Sequence, residues 1–411
     1  MASAGDRGPA RASLAAPLSI RSFRWLWIAQ GVSLIGDQFK FVALSWLVLS
    51  LTGRSGALGT VLMLQAVPRS VLMLLGGVAS DRLRPRTVMI ASDLLRAVIV
   101  GAIAALTATD RIAMPHVYAL ALLFGVVHAF FFPAASAITP ELVPPETLRQ
   151  ANAITQVTNQ VVLAAAPGAA GFVIAAVGTA GGFAVDAASF VVSALFVLLI
   201  AAPARPAGRA SCSAWRDLAA GVAFVRARPL LLSVIVMASV FFFGYAGATY
   251  VGLPVLARGP LGAGPEGLGL LFSAYGAGSL AGGLVGGTVH AGRRGLVGAA
   301  LIGVTGAATA GIALAYALWQ AAVLLAVSGA AMAWVGITYV TIVQQRTEPA
   351  FMGRVMGMLM FGIYGLYPVS YGLAGWLSEL VGVRALFVAG GALIVGSAVA
   401  GLMVREVRTL D

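Results

Sequence analysis

Residues 182–202, "GFAVDAASFVVSALFVLLIAA", hold a single charge in an otherwise apolar run, and runs of this kind recur from one end of the chain to the other. About 20 apolar residues cross the hydrocarbon core of a bilayer as a helix. A transmembrane β-barrel shows short alternating segments instead. Only 10% of the residues are charged, against about 25% in a soluble domain. These features predict an all-α polytopic membrane protein. Twelve transmembrane helices are predicted, over 24–50, 58–79, 87–109, 115–138, 151–177, 182–202, 229–257, 267–289, 295–317, 320–343, 355–378 and 385–404.

The N-terminal stretch lacks a short apolar core with a cleavage site, so the first span is read as an uncleaved anchor. Orientation follows from the arginines. With the N-terminus, the even-numbered loops and the C-terminus on one side, that side holds nineteen basic residues and the other holds Arg54, Arg111, Arg258 and Arg384. Basic residues stay cytoplasmic. Both termini are therefore expected in the cytoplasm of a bacterial inner membrane, and the net charge of +12 needs no nucleic acid partner. The single cysteine, Cys212, excludes an internal disulfide and a cysteine metal cluster. No "GxxxxGK[ST]" loop is present, so no nucleotide cofactor is expected. No catalytic constellation stands out.

Residues 203–213, "PARPAGRASCS", read as a linker, followed by "AWRDLAAGVAFVRARP", an amphipathic helix on the cytoplasmic face. They divide the chain into an N-terminal six-helix bundle (1–202), a linker region (203–228) and a C-terminal six-helix bundle (229–411). A weak repeat supports the division. "ELVPPETLRQANAI" after span 4 and "QQRTEPAFMGRVMGM" after span 10 each carry an acid, a proline, an arginine and then small residues. Two pseudo-symmetric halves imply a site at their interface near the midplane.

The two-halves plan, with "GGVASDRLRPR" after span 2, resembles the major facilitator superfamily. The loop keeps the Gly–Asp–Arg core as Gly77, Asp81 and Arg82, with Arg86 among its basic residues; Arg84 and Pro85 depart from the usual pattern. "FRWLWIAQGVSLIGDQF", "FFPAASAITPELVPPETLRQANAI" and "GVAFVRARPLL" are similar to the branch containing macrolide efflux proteins and the enterobactin exporter. That resemblance implies proton-linked export of drugs or siderophores by alternating access. The antiporter motif of span 5 is degenerate, "APGAAG" at 166–171. A uniporter or importer of a small polar solute therefore stays open, as does a non-transporting scaffold or receptor.

Six charges lie inside spans: Asp37, Lys40, Arg69, Asp93, Arg96 and Asp186. Each costs about 2.5–3.5 kcal/mol at the bilayer centre on insertion scales. They sum to zero, and all lie in the first half. Asp37 is expected to be the protonation site. Lys40, the only lysine, lies one turn away, and a buried lysine loses its proton readily. Arg69 is expected to hold Asp37 or to meet an anionic substrate. His128 is a candidate proton carrier or a packed residue. Gly77, Asp81, Arg82 and Arg86, with Asp93 and Arg96 bracing their loop, are expected to form a conformational latch. Asp186, placed near the outer end of span 6, is read as structural. Eight of the nine tyrosines lie in the second half. Gln30, Gln156, Asn159 and Gln160 are candidates to line a wet cavity. Tyr245, Tyr250, Trp334, Tyr339, Tyr364 and Tyr367 are candidates to hold a bulky, largely apolar ligand. Trp25, Trp27, Trp319 and Trp376, near span ends, are read as interface anchors. The expected partners are a small molecule, protons and lipid, acting on a monomer.

Overall fold

The structure, a computed structural model, describes residues 15–82, 84–201, 214–288, 293–348 and 351–408; the side chains of 73–82, 214–219 and 287–288 lie outside that description. The predicted linker, 203–213, is also outside it. Helices form where the apolar runs are, and they stop where glycine or proline makes continuation costly. Helix α1 (Arg21–Thr52) ends at Gly53, whose φ of 66° lies in the left-handed region that suits glycine at a C-cap. Next come α2 (Ser55–Arg82), α3 (Pro85–Ala108) and α4 (Met114–Leu142). Predicted spans 5 and 6 are joined as α5 (Leu148–Leu198), which breaks at Gly178 (φ 77°, ψ 174°) into two arms. That backbone conformation is essentially restricted to glycine.

The amphipathic segment forms α6 (Ala214–Arg226). Phe224 and Val225 are buried; Phe224 stacks on Phe351, and nearby Arg228 pairs with Glu348 at 2.7 Å. Helix α7 (Pro229–Gly247) runs through a π-helical turn (Ala248–Gly252) into α8 (Leu253–Arg258). Then follow α9 (Pro265–Thr288), α10 (Arg294–Gly311), α11 (Leu318–Gln345), α12 (Met352–Tyr364), α13 (Tyr367–Val381), α14 (Val383–Met403) and the short α15 (Arg405–Arg408).

Nine helical segments among the described residues are long and apolar enough to cross a membrane. One of them, Pro145–Leu198, holds two predicted spans. Predicted spans 2 and 11 are not among the nine. Span 2 falls on α2, and span 11 is interrupted at Gly365–Leu366, between α12 and α13. Discontinuous membrane helices occur where backbone lines a protein-enclosed site.

The helices pack as two sets. Within the first, α1 lies along α5, α2 along α4, and α3 against α4 and α5; within the second, α7 and α10 lie against α14, and α10 against α11. The sets meet along two seams, α5 with α9 and α2 with α13. Both seams are glycine-lined. A Cβ on Gly269 would stand 2.2 Å from the Pro167 carbonyl oxygen, and one on Gly59 would stand 2.5 Å from that of Tyr371. Only glycine permits backbones this close.

We call the side on which α1 begins and α14 ends the terminal face, and the opposite side the distal face. On the distal face Arg54 and the backbone N–H of Gly56 both donate to Glu379, which lies one residue beyond predicted span 11. Arg258 donates to Ser50 there, again across the sets. The Arg54 hydrogen bonds, then the Gly56 N–H at the start of α2, hold the Glu379 carboxyl below its ordinary value of 4.5. A group depressed in this way stabilises its contact above the ordinary carboxylate range and loses that contribution as pH falls through the lowered value. Acidification below about pH 4.5 should therefore loosen the distal seam of the wild type but not of Glu379→Gln. Distances between spin labels on exposed distal sites of the two sets, such as Arg111 and Trp319, would show it. Equal acid responses in the two proteins would assign the effect elsewhere.

Candidate functional site

The first set of helices encloses the buried charges. Asp37, midway along α1, accepts a hydrogen bond from Lys40 at 2.5 Å. The Lys40 ammonium sits 3.6 Å from the Phe124 ring centroid and 5.8 Å from that of Phe190. Ring faces attract cations by about 0.5–2 kcal/mol, which offsets part of the lysine's lost hydration. On α3, Arg96 and Asp93 form an ion pair in which both side chains are fully buried. The Arg96 guanidinium lies between Phe131 and Phe190, at 4.0 and 4.3 Å. Ser193 donates to the second Asp93 oxygen at 2.8 Å. His128 stacks on Phe124 and Phe131, and its Nδ1 is buried without a hydrogen bond. Phe124, His128 and Phe131 share a face of α4 because they are spaced i, i+4, i+7.

Several sequence expectations change here. Asp93 and Arg96 do not brace the basic loop; they lie in the interior, between α3 and the second arm of α5. Arg86 meets a neighbouring helix end within its own set. It donates to the carbonyls of Val197 and Leu198, at the carbonyl end of α5, where a cation is favoured. The side chains of Gly77, Asp81 and Arg82 lie outside the described residues. Trp27 ties α1 to α5, its indole N–H donating to Thr158 at 2.8 Å. Asp186 is not at the outer end of its span; it packs beside Gly36, next to Asp37.

Arg69 forms no ion pair with Asp37. It follows Pro68 inside α2, and its guanidinium lies 5.6 Å from the Tyr364 ring on α12, in the other set. Tyr364 adjoins the break in predicted span 11. Tyr364, Tyr367, Tyr371 and Tyr250 form a chain of ring contacts 5.4–6.3 Å long, and Tyr250 also meets Phe41 of α1 and Phe272 of α9. Tyr250 is carried by the π-helical turn, a distortion that is frequent at functional sites. The seam between the sets is thus filled with aromatic rings, with a cation at its edge.

The cavity lies elsewhere. A small cavity of about 70 Å³ opens inside the second set, between α7, α10, α11 and α12. Met237, Phe241, Phe242, Met332, Tyr339 and Ile363 are among its lining residues, and its wall is almost wholly apolar. Of the aromatic residues singled out in the sequence, only Tyr339 lines it. Its ring rests on Gly298, and its buried hydroxyl has no hydrogen bond. Tyr245 stacks behind Phe241 at 6.0 Å and touches Tyr275. Trp334 packs over Gly286 of α9 and does not face the cavity.

Gln160 accepts a hydrogen bond from Ser279 across the α5–α9 seam at 3.2 Å. Toward the terminal face from that contact, Asn152, Gln156 and Asn159 are exposed on one stripe of α5; Gln30 is half-buried on α1. Amide side chains are rarely turned to lipid, so this stripe marks a wet surface. Asn152 was missed in the sequence, although its i, i+4, i+7 spacing with Gln156 and Asn159 is legible there.

The sequence matches the family described as transmembrane secretion effector over residues 12–411. It is 23% identical to macrolide efflux protein A of Streptococcus pyogenes, covering 95% of this chain and 97% of that one. It is 28% identical to the multidrug efflux pump Tap of Mycolicibacterium fortuitum, covering 92% and 94%, and 28% identical to the enterobactin exporter EntS of Shigella boydii, covering 82% and 80%. The fold is similar to that of the nucleoside transporter NupG, with a TM-score of 0.72 at 14% identity over 95% of this chain and 99% of that one. These are transporters, not enzymes, and they are embedded in membranes. The chain is a multi-pass membrane protein with the major facilitator fold, and it belongs to the transmembrane secretion effector family of the major facilitator superfamily.

Proposed function

We propose that the protein exports a bulky, largely apolar small molecule across the bacterial cytoplasmic membrane, as a monomer with both termini in the cytoplasm, driven by proton entry through alternating access. The observation that carries this reading is a division of labour. Buried ionisable groups are gathered in the first set of helices, and a small apolar cavity of about 70 Å³, which has to widen around a bulky substrate, lies in the second. Efflux by relatives of matching length supports the direction. The distal contacts and the exposed amide stripe support a space open toward the terminal face, where a cytoplasmic substrate enters. Asp37, with a quarter of its side chain exposed, is the proton-exchanging carboxylate, and Lys40 is its partner. Arg69, beside Tyr364 and with no ion pair among the described residues, favours substrates that carry an acceptor or anionic group near the seam.

The test is ligand-induced thermal stabilisation of the purified protein. A macrolide should stabilise the wild type, and sugars or amino acids should not. Phe241→Ala removes cavity wall and should weaken macrolide binding about tenfold or more, since truncating a central aromatic anchor typically costs over 1 kcal/mol. Asp37→Asn should still bind. Stabilisation by sugars or amino acids alone would sink the apolar-substrate reading in favour of a small polar solute.

A further inference from the structure

Asp186 is fully buried on the second arm of α5, and its Oδ2 has no hydrogen-bonding partner. The only side-chain contact to its other oxygen is a 3.5 Å approach from Ser189 on the same helix. Among the described residues no cation lies within ion-pair distance, whereas both other acids of the cluster are paired. An isolated carboxylate buried in this way costs several kcal/mol, and such a group takes up a proton instead.

Its surroundings make that proton exchangeable. The lack of a side chain at Gly36 lets α1 settle onto Asp186; a Cβ there would be 2.6 Å from Asp186 Oδ1. Lys40 is one turn beyond Gly36 on the same face of α1, and Phe190, near its ammonium, is one turn beyond Asp186 on α5. Among the described residues, the charged groups around Asp186 are Asp37 and Lys40 from α1 and Arg96, already held by Asp93, from α3; His128 of α4 stacks on Phe124 and Phe131. Of these two cations, Arg96 is walled in by Phe131 and Phe190, and Lys40 is the one free to change partners.

We propose that Asp186 holds a proton in this arrangement and that Lys40 is shared between Asp37 and Asp186. In one state Asp37 is ionised and paired with Lys40, and Asp186 is neutral. In the other, Lys40 pairs with an ionised Asp186, and Asp37 carries the proton. One proton leaves Asp186 and one is taken up by Asp37, so the charge of the cluster is unchanged. The partly exposed Asp37 exchanges with water, and the buried Asp186 stores. The role in transport rests on the proton-coupled reading above, but the resting proton is observable without any transport.

Infrared spectroscopy of the full chain in lipid membranes at pH 7 tests this through the carbonyl stretch of a neutral carboxylic acid. The wild type should show the band, Asp186→Asn should lose it, and Asp186→Glu should shift it, which guards against a variant that merely misfolds. Asp37→Asn, with Asp186 intact, should also lose the band, because Lys40 then pairs with Asp186 and displaces its proton. Asp37→Asn with Lys40→Met should restore it. A band that is absent from the wild type, insensitive to both Asp186 substitutions, or retained in Asp37→Asn would overturn the proposal. Transport found to be indifferent to a pH gradient would remove the coupling reading while leaving the band as predicted.

Discussion

Asp93→Asn lowers the stability of the folded protein by about 3–5 kcal/mol, the usual result of leaving one partner of a buried ion pair uncompensated. The residues on the page make this the most damaging single change in the charged cluster. Asp93 and Arg96 are both fully buried, and the guanidinium is walled by Phe131 and Phe190. Arginine does not escape by losing its proton. Lys40 has that route and a second carboxyl nearby, so loss of Asp37 is tolerated better. The double variant Asp93→Leu with Arg96→Met should recover most of the loss, because apolar replacement of a buried pair is often neutral or stabilising. Unfolding in detergent micelles measures both. A loss for Asp93→Asn no larger than that of a surface substitution, about 0.5 kcal/mol, would mean that water reaches the pair.

Gly269→Leu should disable the distal seam. Three backbone atoms of α5 surround the added Cβ: the Pro167 oxygen at 2.2 Å, the Pro167 carbonyl carbon at 3.0 Å and Gly171 Cα at 3.1 Å. None of them is the end of a flexible side chain. Overpacking costs about 1–3 kcal/mol. Set against the equilibrium between closed and open distal ends, that is a shift of about 5–150-fold. Labels at Arg111 and Trp319 should move apart, whereas Gly303→Leu, at a position with nothing within 4 Å, should leave them in place. Unchanged distances in Gly269→Leu would mean that the seam is soft.

The sequence makes the helices legible because apolar runs of bilayer length have few alternatives. It also exposes both i, i+3 acid–base pairs, since a helix brings residues three apart onto neighbouring positions. What it hides is set by contacts between helices. Nothing near Asp93 in the chain announces Ser193, one hundred residues away, or the rings that flank Arg96. The pairing expected between Arg69 and Asp37 fails for the same reason: charge balance says that opposite charges exist, not that they meet. Asp186 was placed by its distance from the end of a span, and the approach of α1 at Gly36 gave it a different depth and different neighbours. The break at Gly365–Leu366 was hidden because its flanks are as apolar as a continuous span. The cavity between α7, α10, α11 and α12 lies away from the interface, where tyrosines that could line a ligand site pack against one another.

The central claim is that protons handled in the first set of helices drive an apolar substrate held in the second. Uptake of a macrolide into proteoliposomes, with inside-out protein and an imposed pH gradient, measures it most directly. The account predicts transport that grows with the gradient in the wild type, is lost in Asp37→Asn although binding persists, and has no counterpart for sugars or amino acids. Macrolide transport at the same rate with and without the gradient, or at wild-type rates in Asp37→Asn, would contradict it.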